Sequence, residues 1–130
     1  MKKILFYTVC AAAFLLTGCA VENNHLSPAD FADCLSRNDI RIEASRPLSP
    51  DPFRASSGHA FQIGDTEIQV YKFDVSSSVQ RKRLDGIADS RKVYVIGIPF
   101  YAVVHGSFVF VGLDKNKQKH EIMKAIKSFN

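Results

Sequence analysis

The sequence predicts an α+β domain with one mainly antiparallel sheet of about five strands, built from two hairpin–helix units and an additional N-terminal helix. Three observations support this fold class. Two pairs of strand-like runs are each joined by a two-residue turn that contains glycine. Each pair is followed by a segment with apolar residues at helical spacing. A helix-start motif stands near residue 27.

The additional N-terminal helix is predicted over residues 28–37. It begins at the motif Ser27-Pro28-Ala29-Asp30, which combines an N-cap residue, a proline suited to the first helical position and an acidic third residue. Three apolar residues follow at spacings of three and four, namely Phe31, Cys34 and Leu35. We therefore expect Cys34 to lie in the core; a reactive thiol or a thiol that pairs between molecules is the alternative.

A proline-rich segment, residues 46–52, follows this helix. Its three prolines remove backbone donors and favour extended conformations in the preceding residues. We expect a linker or a wrapped loop here; a proline-rich recognition segment is the alternative.

The first hairpin–helix unit covers residues 59–88. Strand-like runs at 59–63 and 66–74 flank Gly64-Asp65, and the second run is apolar on both faces, which is typical of an inner strand. The serines at 76–78 offer caps for a helix that follows them, with Arg81-Lys82-Arg83 on its polar side. This basic run is expected to be a solvated face; contact with anionic lipid headgroups is the alternative.

The second unit covers the rest of the chain. We expect a strand at residues 93–98, a break at Pro99, and strands at 101–104 and 107–113 around His105-Gly106. The final helix is predicted from about residue 117 to residue 129, because apolar residues recur there at helical spacing between lysines.

The N-terminus has the pattern of an export signal. Lys2 and Lys3 precede an apolar run at residues 4–16, which is shorter than the roughly 20 residues that span a bilayer. The run ends in Leu16-Thr17-Gly18-Cys19, which resembles the lipobox of bacterial lipoproteins. The resemblance implies that residues 1–18 are a signal peptide, that Leu16, Thr17 and Gly18 are recognised by the signal peptidase, and that Cys19 carries lipid.

Further expectations depend on this resemblance. The mature chain would be anchored to a membrane outside the cytoplasm by acyl chains on Cys19. Ala20 replaces the Asp that retains many lipoproteins at the inner membrane, which favours the outer membrane in a host with two. Residues 19–26 would be a lipidated tether, and residues 27–130 a single domain. Tyr71-Lys72-Phe73 before a helix is also similar to small uncharacterised bacterial lipoproteins, over roughly the last 70 residues, and this implies no activity.

Charge and motifs narrow the function classes. Removal of Lys2 and Lys3 takes 17 basic residues to 15 against 13 acidic ones, a balance too mild to indicate nucleic-acid binding. The four histidines are scattered, and no catalytic, metal or phosphate-binding motif is present. We expect no enzymatic activity and no cofactor. One alternative is a metal or nucleophile site formed by His59 and His105 with Cys34 or Asp65.

Aromatic residues are numerous for one small sheet, and core packing is their first interpretation. If helices cover only one face, an aromatic partner surface remains on the other. The candidate residues for that surface are Tyr71, Phe73, Phe108 and Phe110.

The sequence therefore favours a membrane-anchored binding or envelope-assembly module, whose partners are the membrane, through Cys19, and another envelope protein. A structural surface lipoprotein without a dedicated ligand is the alternative. A metal-binding protein or enzyme has the least support.

Overall fold

A computed structural model describes residues 23–130, which form three α-helices and six β-strands. The helices are α1 (Phe31–Arg37), α2 (Ser78–Ser90) and α3 (Lys119–Lys127). The strands are β1 (Ala44–Leu48), β2 (Ser57–Ile63), β3 (Thr66–Lys72), β4 (Lys92–Val95), β5 (Ile98–His105) and β6 (Phe108–Val111). Short 3-10 turns lie at Pro28–Asp30, Asp51–Phe53 and Leu113–Lys115.

All six strands belong to one antiparallel sheet in the order β1-β2-β3-β6-β5-β4. Strands β3 and β6 pair at its centre, with Val70 opposite Phe110, and β1 and β4 are the two edges. Hairpin β2–β3 precedes α2, and hairpin β5–β6 precedes α3. The predicted α+β class with one antiparallel sheet is confirmed, but the sheet has six strands rather than about five.

The sixth strand lies partly inside the segment that was predicted to be a linker. Residues 44–48 form β1, in which Pro47 stands opposite His59 of β2. An edge strand needs hydrogen bonds on one side only, so a residue without an N–H is tolerated there. Only residues 49–56 form a loop, which includes the Asp51–Phe53 turn.

The N-terminal segment also differs from the prediction of one helix over residues 28–37. Its first turn, Pro28–Asp30, is a 3-10 turn in which the Asp30 N–H donates to the Ser27 carbonyl oxygen three residues earlier (3.1 Å). The Ser27 N–H donates to the Asp30 carboxylate (2.7 Å). This local bonding tightens the start of the segment, and the α-helix begins only at Phe31.

The core has one cluster on each face of the sheet. Helices α1 and α3 cover the first face, where Phe31 packs 5.0 Å from Phe110 and 5.1 Å from Phe129, ring centroid to centroid. Helix α2 covers part of the second face with Leu84 and Ile87. The loop at 49–56 adds Phe53 to this second cluster. Both faces of the central strands are therefore buried.

The region predicted as a strand at residues 93–98, broken by Pro99, is instead a complete hairpin. Strand β4 ends at Val95, the turn is Ile96-Gly97, and Pro99 lies within β5 opposite Tyr94. In a two-residue hairpin the pair beside the turn is hydrogen-bonded and the next pair is not. The missing N–H of Pro99 is thus on the side away from β4, where no ladder bond is required.

The predicted anchor region lies outside the described residues. This applies to the signal peptide at 1–18, to its recognition residues Leu16, Thr17 and Gly18, and to lipidation at Cys19. Within residues 23–130 no helix is both long and apolar enough to cross a membrane. The predicted tether at 19–26 is too long, because Asn23 is buried and Leu26 packs on the first-face core.

Candidate functional site

An apolar hairpin at one edge of the sheet is the most unusual surface of the described chain. We call residues 93–101, which comprise most of β4, its turn and the first half of β5, the apolar arm. From residue 93 to residue 104 the sequence has no charged side chain, and its only polar side-chain groups are the hydroxyls of Tyr94 and Tyr101. Most half-exposed strands alternate polar and apolar residues, and this segment does not.

The strand register makes the arm project from the domain. Strand β5 pairs with β6 only through residues 102–105, so residues 98–101 pair with β4 alone. The base of this ribbon packs on the domain, because Val93 belongs to the core cluster under α2 and β4 also contacts the Asp51–Phe53 turn. Its tip at Ile96 is exposed, and a two-stranded ribbon alone is only marginally stable in water. A second surface that covers the tip would therefore stabilise it.

The arm exposes large apolar side chains on both faces and at its tip. Ile96 is 98% exposed, Ile98 59% and Phe100 40%. Tyr94 (58%) and Tyr101 (44%) are exposed on the other face of the ribbon. Exposed apolar side chains grouped in this way are typical of interaction sites.

A basic groove lies against the base of the arm. It is an open depression of about 380 Å³ between β4, α2 and the Asp51–Phe53 turn. Its apolar lining includes Phe53, Ile87 and Val93, and its lining also carries three cationic residues, Arg54, Arg83 and Lys92. None of the described residues that line it is acidic. The groove is therefore suited to a ligand with both apolar and anionic parts.

The outer edge of β4 is partly occupied by the end of α2. The Ser90 hydroxyl accepts from the Lys92 N–H (3.3 Å) and donates to the Lys92 carbonyl oxygen (3.2 Å). By strand alternation, Lys92 and Tyr94 are the two β4 residues whose backbone polar groups point away from β5. Because Ser90 bonds to both backbone groups of Lys92, only the backbone N–H and carbonyl of Tyr94 remain on this edge of β4 to pair with another strand.

The partner surface predicted at Tyr71, Phe73, Phe108 and Phe110 is wrong. Tyr71 is 4% exposed and the other three are fully buried. The prediction assumed that helices cover one face of the sheet, whereas Phe108 and Phe110 lie under α1 and α3, and Tyr71 and Phe73 belong to the cluster under α2. The exposed aromatic residues are instead those of the arm.

The hypothetical site of His59, His105, Cys34 and Asp65 is not assembled. His59 and His105 stand on β2 and β5, which are separated by two strands, or about 14 Å. The His105 Nε2 lies 3.1 Å from the Asn130 Oδ1. Asp65 is in the exposed β2–β3 turn. Among the described residues no group of three potential metal ligands comes together.

Cys34 has the core position that its helical spacing predicts. It is fully buried, and its thiol donates to the Ala125 carbonyl oxygen of α3 (3.0 Å). Its Sγ also lies 3.3 Å from the Ser128 hydroxyl oxygen. These contacts join α1 to the end of α3.

A buried polar cluster, which no sequence motif predicted, holds the start of the described chain. The Lys72 Nζ donates to the backbone oxygens of Asn23 (3.2 Å) and Asn24 (2.7 Å) and to the Ser107 hydroxyl oxygen (2.6 Å). The Asn23 side chain donates to the His105 carbonyl oxygen (3.1 Å) and accepts from the Ser107 N–H (2.9 Å). Lys72 between apolar strand residues was the available signal.

Burial lowers the pKa of this lysine. Desolvation lowers the pKa of Lys72 from 10.5 to about 8, opposed by the nearby carboxylate of Asp74. The ammonium also lies 4.5 Å from the centroid of the Phe108 ring. The cluster thus fixes residues 23 and 24 at the end of β5 opposite to the arm.

No protein-family model matches the chain, and neither a curated protein nor a solved structure matches it. What the molecule binds is therefore inferred from the chemistry of the arm and the groove.

Proposed function

We propose that this protein is a membrane-anchored extracytoplasmic lipoprotein that acts as a binding or envelope-assembly module, and that it docks through the apolar arm. The anchor is the lipid expected on Cys19, within the Leu16-Thr17-Gly18-Cys19 motif. The docking surface is residues 93–101.

The observation that carries this proposal is the exposure of the uncharged arm. Ile96, Ile98 and Phe100 together place three large apolar side chains in water on a ribbon that projects beyond the sheet. Burial of apolar surface contributes roughly 25 cal/mol per Å², so a partner that covers the arm gains free energy without rearranging the core. The central strands are already buried on both faces, and all but one of the large apolar side chains that the described residues expose lie on this edge.

The start of the described chain and the arm are at opposite ends of β5. Asn23 bonds to His105 at the carboxyl end of this strand, whereas the Ile96-Gly97 turn precedes its first residue. Seven residue steps separate the two ends, or about 24 Å. Cys19 precedes Asn23 by four residues, which reach at most about 14 Å. A lipid on Cys19 would therefore set the position of the domain while leaving the arm free to dock.

Photocrosslinking in intact cells tests the docking surface. A photoreactive phenylalanine analogue would replace Phe100 in the arm, and in the control it would replace Val79, which is 57% exposed but lies on α2. We expect a reproducible protein or lipid adduct from position 100 and none of the same kind from position 79. Absence of any arm-specific adduct would contradict the proposal.

The anchor has its own test. Replacing Cys19 by Ser should abolish metabolic labelling with an acyl-chain probe and release the protein from sedimented membranes. A Cys34→Ser variant is the matched control, because that thiol is buried and should not affect labelling. Retained labelling in the Cys19→Ser variant would show that the lipid is elsewhere or absent.

A further inference from the structure

The geometry points to an anionic lipid bilayer as the surface that the apolar arm and the basic groove contact, with the arm tip in the acyl region and the groove cations at the headgroups. This inference rests on the docking surface proposed above and specifies its partner.

The β4–β5 ribbon changes from charged to apolar between Lys92, at the base of the arm, and the tip of the arm. Lys92 pairs with Tyr101 at its base, Tyr94 pairs with Pro99 two rungs further, and Ile96-Gly97 forms the tip. Basic side chains suit the headgroup layer, Tyr is enriched at membrane interfaces, and aliphatic side chains suit the acyl layer. The order of the rungs matches the order of the layers.

The length of the arm also fits. Four rungs separate Lys92 from the Ile96 tip, which corresponds to about 13 Å. Interfacial apolar segments enter the headgroup–acyl boundary by about 5–10 Å. With Lys92 at the phosphates, the tip therefore reaches the acyl boundary. From Tyr101, which pairs with Lys92, to His105, which contacts Asn23, β5 extends four residue steps, or about 13 Å. The four residues back to Cys19 reach at most about 14 Å, so the lipid and the arm can enter the same bilayer.

The positive charge of the groove favours lipids with anionic headgroups. Arg54, Arg83 and Lys92 line one groove that contains no acidic residue among its described lining. Each basic group near an anionic bilayer surface contributes about 1 kcal/mol. A neutral bilayer offers the arm the same apolar layer without this attraction.

Two competing occupants fit less well. An extended peptide gains its affinity from backbone pairing along a free edge, but Ser90 already bonds to both backbone groups of Lys92 and leaves only the Tyr94 position of β4. A second copy bound through a two-fold contact would place its own three groove cations near those of the first copy, and these like charges repel. A hydrocarbon layer needs no hydrogen bonds from the arm and carries no positive charge.

The chain contains no tryptophan, so the fluorescence of one introduced tryptophan reports on a single position. This fluorescence tests the inference. The full chain with Ile96→Trp would be reconstituted into vesicles of phosphatidylcholine and phosphatidylglycerol with brominated acyl chains. We expect its emission to shift to the blue and to be quenched by the bromines. The control Val79→Trp, at an exposed apolar position on α2, should be neither shifted nor quenched.

The charge requirement is tested with a second pair of variants on the Ile96→Trp background. Lys92→Gln should lower the ratio of inserted to free arm about fivefold, which corresponds to the loss of one basic contact. Lys124→Gln, an exposed lysine on α3 beneath the other face, should leave the ratio unchanged. Equal quenching of the Ile96→Trp protein in purely neutral and in anionic vesicles would overturn the role of the cations.

The remaining outcomes separate this inference from the proposed function. Emission from the Ile96→Trp protein that is neither shifted nor quenched would overturn insertion. A blue shift without bromine quenching would show that protein covers the arm, which overturns the lipid inference but leaves the arm as a docking surface. A protein adduct at position 100 in cells, without a lipid adduct, would have the same meaning.

Discussion

Ile96 and Gly97 both have positive φ angles, 50° and 77°, so that an almost fully exposed β-branched residue occupies the first turn position of the β4–β5 hairpin. Asn or Gly is the usual residue there, because a side chain branched at Cβ is strained in the left-handed region. The conformation costs about 1–2 kcal/mol. A solvent-facing isoleucine in a strained turn contributes nothing to the core, which is consistent with a role outside the folded domain.

We predict that Ile96→Asn raises stability and weakens docking at the same time. Asn accepts the positive φ, and Asn-Gly is the preferred pair for this turn, so the free energy of unfolding should increase by about 1 kcal/mol. Urea denaturation of the protein in detergent measures the first effect, and crosslinking from position 100 measures the second. An unchanged adduct yield would show that the tip does not take part in docking.

Two glycines should respond to alanine in opposite directions. Gly112 has a φ of 95°, and an added Cβ would lie 2.6 Å from the Glu67 carbonyl oxygen on the neighbouring strand. Gly112→Ala should therefore destabilise the protein by about 2–3 kcal/mol. Gly86 is helical, and no atom lies within 4 Å of the added Cβ, so Gly86→Ala should stabilise α2 by about 0.5–1 kcal/mol. Thermal unfolding of both variants checks the contrast, and a loss of stability in both would contradict it.

Stability should rise with pH above neutrality because of Lys72. Its pKa is about 8 in the folded protein and about 10.5 when exposed, so the unfolded chain binds more protons between these values. The free energy of unfolding should therefore increase from pH 7 to about pH 9.5, by at most about 2 kcal/mol, since solvent screening reduces the effect. Equilibrium unfolding at several pH values measures this slope.

The control for that slope is Lys72→Met, which keeps an unbranched side chain of similar length and removes the titrating group. Its stability should lack the increase seen in the parent protein over the same range. If the two proteins have the same pH dependence, Lys72 is not the group responsible.

The thiol of Cys34 should be protected in the folded protein. It is fully buried and donates to the Ala125 carbonyl oxygen, so a thiol reagent should modify it only as fast as the chain opens. Mass spectrometry of the peptide that contains Cys34 gives the rate with and without urea. Rapid modification under native conditions would show that α1 and α3 separate readily.

The parts of the fold that depend on local chemistry could be predicted from the sequence. Gly64-Asp65 forms the turn between β2 and β3, because glycine accepts the φ of 63° found there. The spacing of Ile122 and Ile126 gives α3 its buried side. These features need only short-range information.

The missed elements depend on the position of a strand in the sheet. Pro47 and Pro99 were interpreted as breaks, yet each lies in a strand where the proline has no ladder bond to supply. The Ile96-Gly97 turn was missed because isoleucine is a poor residue for positive φ. The aromatic surface was misplaced because sequence periodicity does not show which sheet face each helix covers. Tyr94 and Phe100 could be recognised as exposed only once the register was known.

Ser90 and Pro99 have a consequence for the behaviour of the molecule at high concentration. An exposed, uncharged ribbon is the kind of edge on which further strands stack into cross-β fibrils. The Ser90 hydroxyl occupies the backbone groups of Lys92 on one side of the hairpin, and Pro99 offers no N–H on the other. Neither side of the hairpin therefore offers an uninterrupted row of backbone groups on which a ladder could extend.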